Sequence, residues 1–139
     1  MSRSAAWFVH GSVALAGATG LVYGWMRYVA EPADEWAIVN HPWEPDLKAL
    51  HIVLVPLLVF GCGLLWRTHV WERIRTEFPH RRRTGIALAL LLAPMVASGY
   101  AVQVAEDQTW RAVWMWTHGL TSCAWVLMYL VHQLSEREE

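Results

Sequence analysis

The chain has 139 residues, 55% of them apolar, and its 11 Lys+Arg and 12 Asp+Glu leave a formal net charge of −1. Residues 4–26, 49–66, 84–105 and 112–135 contain no Asp, Glu, Lys or Arg, so every charge falls in the remaining 52 positions. That distribution excludes an ordinary soluble domain of amphipathic helices, a disordered chain, a nucleic-acid binder with a basic face and a disulfide-built secreted module.

A bilayer core of ~30 Å takes ~20 mostly apolar residues as helix, and all four charge-free stretches reach the ~18-residue threshold. They predict helices over about 5–30, 47–71, 84–105 and 111–135, and none alternates like a barrel strand. The mean hydropathy of only +0.25 is low for such a chain, and its ten Trp and seven His account for part of that. The first stretch follows Arg3, like a signal peptide. Its apolar run exceeds the ~7–15 residues of a signal h-region, so it is expected to be a retained helix.

The first connection, about 31–46, carries Pro32, Pro42 and Pro45 and should be irregular. The second, 67–83, holds Arg67, Arg73, Arg75, Arg81, Arg82 and Arg83. The third is about six residues long, which makes the last two helices antiparallel neighbours. With Arg3 and Arg137 the inner side collects eight cations, against Arg27, Lys48 and Arg111 outside, so both termini should be cytoplasmic. Trp25, Trp36, Trp43, Trp110, Trp114 and Trp116 fall near the outer boundary, and Trp7, Trp66 and Trp71 near the inner one, as aromatic belts do. The chain shows no internal repeat. The expected fold is a single all-α domain over 1–139, an antiparallel four-helix membrane bundle with both termini inside.

Ionisable groups inside spans are rare and mark function. The charge-free stretches contain His10, His51, His118 and His132. His69 lies at the inner boundary, and His41 and His80 lie in loops. His118 and His132 are 14 residues apart, ~3.9 turns and ~21 Å on one helix face. His51 and His69 are 18 apart, five turns, again one face if the helix is regular. Counted from the flanking cations, His51 and His118 are near the outer side and His10 and His132 near the inner side. Zinc needs about four ligands in one place, and no carboxylate lies in any span. Haem iron needs only axial ligands from the protein, commonly His, and a neutral imidazole adds no charge to hydrocarbon. Two such haems stacked across a bilayer make an electron wire. The helix glycines, Gly11, Gly17, Gly20, Gly24, Gly61, Gly63, Gly99 and Gly119, allow close approach of a bulky group or of another helix. Cys62 and Cys123 differ in depth and are expected to be unpaired core thiols.

Four helices with one His early in the first, one early in the second and two spaced as His-x13-His in the fourth resemble the dihaem membrane cytochromes b. These include the bacterial cytochrome b561 family and the cytochrome b gamma subunits of formate dehydrogenase and Ni/Fe-hydrogenase. The resemblance covers the whole chain, which is shorter than those proteins and has trimmed loops. It implies two b haems with axial pairs His10–His132 and His51–His118. It implies electron transfer between quinone or quinol and a redox partner subunit or soluble cytochrome, in the bacterial inner membrane and in contact with its lipid. It also implies a quinone site near one haem, for which Trp66, Arg67 and His69 are candidates, with haem propionates as an alternative ligand. His69 is an addition to the pattern. Two other functions fit less of the sequence. A His-lined proton or metal-ion transporter would call for intramembrane carboxylates or broken helices. A non-redox anchor or assembly subunit would leave the histidines without a role.

Overall fold

The structure is a computed structural model that describes residues 2–76 and 81–135. His80 and Arg137, used above as a loop histidine and an inner cation, lie outside the described residues. The described chain is helical: α1 (Arg3–Tyr28), α2 (Glu44–Leu65), a π-helical segment (Trp66–Trp71), α3 (Glu72–Arg75), α4 (Arg82–Val104) and α5 (Gln108–Leu134). It divides into two units, Met1–Trp66 and Arg67–Glu139.

The first unit is an antiparallel hairpin of α1 and α2. Contacts descend α1 as they ascend α2: Arg27 meets Glu44, Gly20 meets His51, and Val9 meets Gly61. Ser2 caps α1, its hydroxyl accepting the amide of Ala5 at 3.2 Å. Pro45 sits in the first turn of α2, where its missing N–H has no helical partner to lose, and Glu44 and Asp46 complement the helix dipole there. Pro45 therefore starts α2 rather than ending the loop. Glu44 is buried and ties the connection down. It accepts from Arg27 Nη1 at 3.3 Å and from the amide of Asn40 at 3.2 Å, while Asn40 Nδ2 donates to the Arg27 carbonyl at 2.9 Å. The core is thin and mostly small: Val9, Ser12, Val13, Ala16, Met26, Leu58 and Gly61.

The second unit is the hairpin of α4 and α5, with α3 against α4. Only 105–107 connect the two long helices, shorter than expected, because Asp107 caps α5 by accepting the amide of Trp110 at 3.0 Å. The predicted antiparallel pairing is present: Gly99 meets His118, the Leu88 carbonyl accepts from Trp125 Nε1 at 3.1 Å, and Gly85 meets His132. Met95, Ser98 and Trp125 form its buried centre, and Trp125 stacks on Tyr129 with ring centroids 5.6 Å apart. Arg81 precedes α4 in the left-handed region (φ 55°). Its guanidinium donates to the carbonyls of Gln133 and Ser135, capping the end of α5.

Two prolines lie inside helices, Pro56 in α2 and Pro94 in α4. In α4 the Ser98 hydroxyl donates to the Pro94 carbonyl at 2.6 Å. Among the described residues no buried side-chain nitrogen or oxygen lacks a hydrogen-bond partner.

Much of the apolar surface faces outward, for example Val53 at 69%, Leu90 at 70% and Leu127 at 63% exposure. Such contiguous exposure suits hydrocarbon rather than water. Among the described residues, three helices are long and apolar enough to cross a membrane: Arg3–Tyr28, Glu44–Arg75 and Arg82–Val104. The sequence led us to expect four. α5 has the length, at 27 residues, but it carries four Trp, two His, and Thr and Ser side chains, and its hydropathy falls below that of the other three. Freedom from charge is not the same as apolarity.

The second helix does not run as a regular α-helix to residue 71. At Trp66 it widens into six π-helical residues, then tightens again into α3. The five-turn count that put His51 and His69 on one face assumed 3.6 residues per turn throughout, and the π segment breaks that count.

Candidate functional site

All four core histidines are half-buried. Three of them are held in one recurring way. His51, on α2, points its Nδ1 at the backbone carbonyl of Ala16 on α1, 3.1 Å away. The Thr19 hydroxyl lies 3.2 Å from the same nitrogen, and its own proton goes to the Leu15 carbonyl at 2.7 Å. A carbonyl only accepts, so Nδ1 carries the ring proton and the lone pair lies on Nε2.

His118, on α5, repeats this against α4. Its Nδ1 lies 2.9 Å from the Met95 carbonyl. His132, about four turns further along α5, places Nδ1 2.8 Å from the Thr84 hydroxyl. Thr84 in turn donates to the Arg81 carbonyl at 3.0 Å, so its oxygen accepts from the imidazole. In all three the same tautomer results.

Each of these imidazoles also lies against a glycine of the neighbouring helix. A Cβ on Gly20 would come within 2.8 Å of His51 Cε1, and one on Gly99 within 2.9 Å of His118 Cε1. On Gly85 the distance to His132 Cε1 would be 3.6 Å. The three glycines follow Thr19, Ser98 and Thr84, and these are the chain's three Ser/Thr-Gly dipeptides. A carbonyl stands four residues before each glycine (Ala16, Met95, Arg81): those of Ala16 and Met95 accept from the imidazole, and that of Arg81 accepts from the Thr84 hydroxyl that does so at His132. The spacing has a helical cause. Residue i+4 overlies the carbonyl of residue i, and a side chain there would shield that carbonyl from a ring on the next helix. Glycine leaves it open.

The register accounts for the two levels. Fourteen residues from His118 to His132 on α5 match fourteen from Gly99 back to Gly85 on α4, ~21 Å along the helices. In the first unit, ten residues back along α1 from Gly20 reach His10, and ten along α2 from His51 reach Gly61. The two histidine levels there are ~15 Å apart along α1. Gly61 is closely covered, a Cβ meeting Val9 at 3.0 Å and Phe8 at 3.2 Å. His10 stands edge-on to Trp7, with centroids 6.0 Å apart. The first unit thus carries His10 and His51 ~15 Å apart along its helices, and the second carries His118 and His132 ~21 Å apart.

The remaining candidates lie together on the π segment: Trp66 and Arg67 exposed, His69 half-buried. Cys62 and Cys123 are unpaired, as expected, but neither is a core thiol: Cys62 is half-buried and Cys123 exposed. No three His, Cys, Asp or Glu among the described residues converge on a metal-ion site. The chemistry on offer is that of imidazoles oriented through Nδ1, at His51, His118 and His132.

Sequence reading missed Thr19, Thr84, Gly85 and Ser98. The signal was there in the Ser/Thr-Gly dipeptides, three of the nine glycines. Their relation to the histidines needs the antiparallel register to become visible. Comparison with protein-family models, with curated proteins and with solved structures found no match to this chain.

Proposed function

We propose that this chain is a membrane electron-transfer subunit of the dihaem cytochrome b type. It carries electrons between the quinone pool and a redox partner through two bis-histidine b haems. The observation that carries the reading is the fixed tautomer of His51, His118 and His132. Histidines that ligate metal almost always donate the other ring N–H to a carbonyl or similar acceptor, which orients the ring and raises its basicity. Here Ala16, Met95 and Thr84 are those acceptors. A hydrogen-bonded packing histidine needs no particular tautomer, and three on one pattern call for a common cause.

The donor set fits haem on two further counts. No three of the His, Cys, Asp or Glu side chains among the described residues converge on one point, which suits an iron that needs only axial ligands from the protein. The glycines let each ring lie flush against the neighbouring helix, with its Nε2 edge directed away from the anchored Nδ1. By the family resemblance, His51 with His118 and His10 with His132 would hold the two haems. Bound haem would supply a one-electron Fe(III)/Fe(II) couple. The chain's own part is to fix ring orientation, to exclude water with apolar side chains, and to set ligand basicity through the Nδ1 hydrogen bonds.

In this reading α5 is the fourth span. Trp110, Trp114 and Trp116 gather toward its N-terminal end, where an interfacial position would make low hydropathy cost little. The protein is then a four-span bundle in a bacterial inner membrane with both termini cytoplasmic. Trp66, Arg67 and His69 form the quinone-facing or propionate-facing group. Their placement on a π segment supports this, since such segments concentrate at functional sites.

An optical spectrum of the purified protein tests the proposal. Reduced b-type bands at about two haems per chain are expected. A colourless protein after expression in a haem-replete host would overturn it.

A further inference from the structure

We propose that Thr84 is the positioning residue of His132, and that its hydroxyl makes this imidazole a different electron donor from His51 and His118. The proposal rests on the haem reading above. At His51 and His118 the ring proton goes to a backbone carbonyl, at 3.1 and 2.9 Å. At His132 the partner is a side-chain hydroxyl at 2.8 Å, and a second hydrogen bond of 3.0 Å passes from Thr84 to the Arg81 carbonyl. The ring is therefore anchored through a two-step chain, His132 Nδ1–H to Thr84 Oγ1 and Thr84 O–H to Arg81 O.

Three consequences follow from the chemistry of that chain. An alcohol oxygen is a weaker acceptor than an amide carbonyl, although its own donation to Arg81 strengthens it. The imidazole of His132 then gains less negative character than the two held by carbonyls. A less electron-rich axial ligand stabilises the oxidised iron less, so Thr84 tunes the His132 haem separately from the other. The Arg81 end of the chain is itself fixed, because the Arg81 carbonyl also accepts the amide of Gly85 at 2.9 Å. Thr84 is thus held in one rotamer by α4's own first turn and presents its oxygen to α5.

This arrangement makes the site testable in a way the other two are not, since a hydroxyl can be removed and a backbone carbonyl cannot. Thr84→Val keeps the shape and removes the acceptor. Thr84→Ser keeps the hydroxyl. Both are compared with wild type by redox titration of the full-length protein and by 15N NMR of histidine-labelled, dithionite-reduced protein in nanodiscs. The expected result is that Thr84→Val shifts one midpoint upward, that of the haem lost in His132→Ala, and leaves the other in place. The His132 Nδ1 signal should lose its hydrogen-bonded position, and Thr84→Ser should stay near wild type on both readouts. If Thr84→Val instead empties that site alone while Thr84→Ser fills it, the positioning role is equally supported. Unchanged midpoints with an unchanged Nδ1 signal would overturn the proposal while leaving the haem reading intact. So would equal shifts of both haems. A wild-type chain without haem overturns the haem reading itself. The 15N comparison then decides Thr84 alone, and an Nδ1 signal indifferent to Thr84→Val rejects it.

Discussion

Gly20 lies so close under the imidazole of His51 that a Cβ there would sit 2.8 Å from Cε1. The ring is the far end of a side chain and can swing away, but only by leaving the Ala16 carbonyl that holds its Nδ1. Gly20→Ala is therefore expected to leave the hairpin folded and to cost the haem served by His51. Helix propensity alone favours Ala over Gly by ~1 kcal/mol, so lost stability would not explain the result. Gly99→Ala, 2.9 Å from His118 Cε1, should remove the same haem. Gly24→Ala and Gly119→Ala, whose Cβ atoms would meet nothing within 4 Å, should keep full haem content. Haem per chain by the pyridine haemochrome assay checks the set. Equal haem in all four variants would mean that the glycines serve packing alone.

The four histidines should fall into two pairs on substitution. His51→Ala and His118→Ala are expected to remove one haem, and His10→Ala and His132→Ala the other, each leaving a single midpoint in redox titration. The motive is the family resemblance together with the spacing of the histidines within each unit, where Gly20 backs His51, Gly99 backs His118 and Gly85 backs His132. His69→Ala should keep both haems and alter only quinol-driven reduction. Should His69→Ala empty a site that His10→Ala leaves filled, the axial partner of His132 is His69.

The helices were legible from charge alone, within about three residues at most ends, because lipid-exposed backbone has few choices other than helix. The deviations have local causes. Pro45 and Asp107 start their helices earlier than the charges suggest, since each serves a first turn or a cap. The π segment had no marker, because residues 66–71 contain neither Gly nor Pro. The histidine levels could be counted from cations, yet the anchoring of the rings could not. Two of the three acceptors are backbone carbonyls, Ala16 and Met95, and any residue type supplies one. Gly85 was passed over because it adjoins Arg81, Arg82 and Arg83 and reads as the edge of a loop. It lies four residues into the hydrogen-bonded start of α4 and faces His132.

Glu44 should matter more as a hydrogen-bond acceptor than as half of an ion pair. Its side chain is 7% exposed and that of its partner Arg27 46%, so water weakens the charge attraction to ~1 kcal/mol or less. Removing the acceptor would leave the amide of Asn40 and the Arg27 guanidinium without it, at a cost of ~1–3 kcal/mol. Glu44→Gln keeps one of the two accepting oxygens and is expected to lose part of that stability, and Glu44→Ala distinctly more. The connection over 29–43 should become more open to proteases in the Ala variant only. Thermal shift in detergent with timed proteolysis reads both effects. Equal losses in Gln and Ala would mean that one accepting oxygen without the charge contributes nothing.

The fourth span is the sharpest structural claim that remains to be measured. α5 runs from Gln108 to Leu134, ~40 Å at 1.5 Å per residue, enough to cross a hydrocarbon core with its ends in the interfaces. Its low hydropathy also suits a helix lying in the interface, with Trp110, Trp114 and Trp116 at headgroup depth. The two arrangements differ in where Ser135 emerges. A crossing helix places Ser135 opposite Asp107, while an interfacial helix keeps both on one side. Single cysteines at these two positions, in a background with Cys62 and Cys123 replaced by Ala, should label from opposite faces of sealed inverted and right-side-out vesicles. With Arg3 as a third reporter, residue 135 should share the side of residue 3. Labelling of 107 and 135 from the same face would reduce the protein to three spans. It would also put His118 and His132 at one depth, and the two-level arrangement of the haems could not stand.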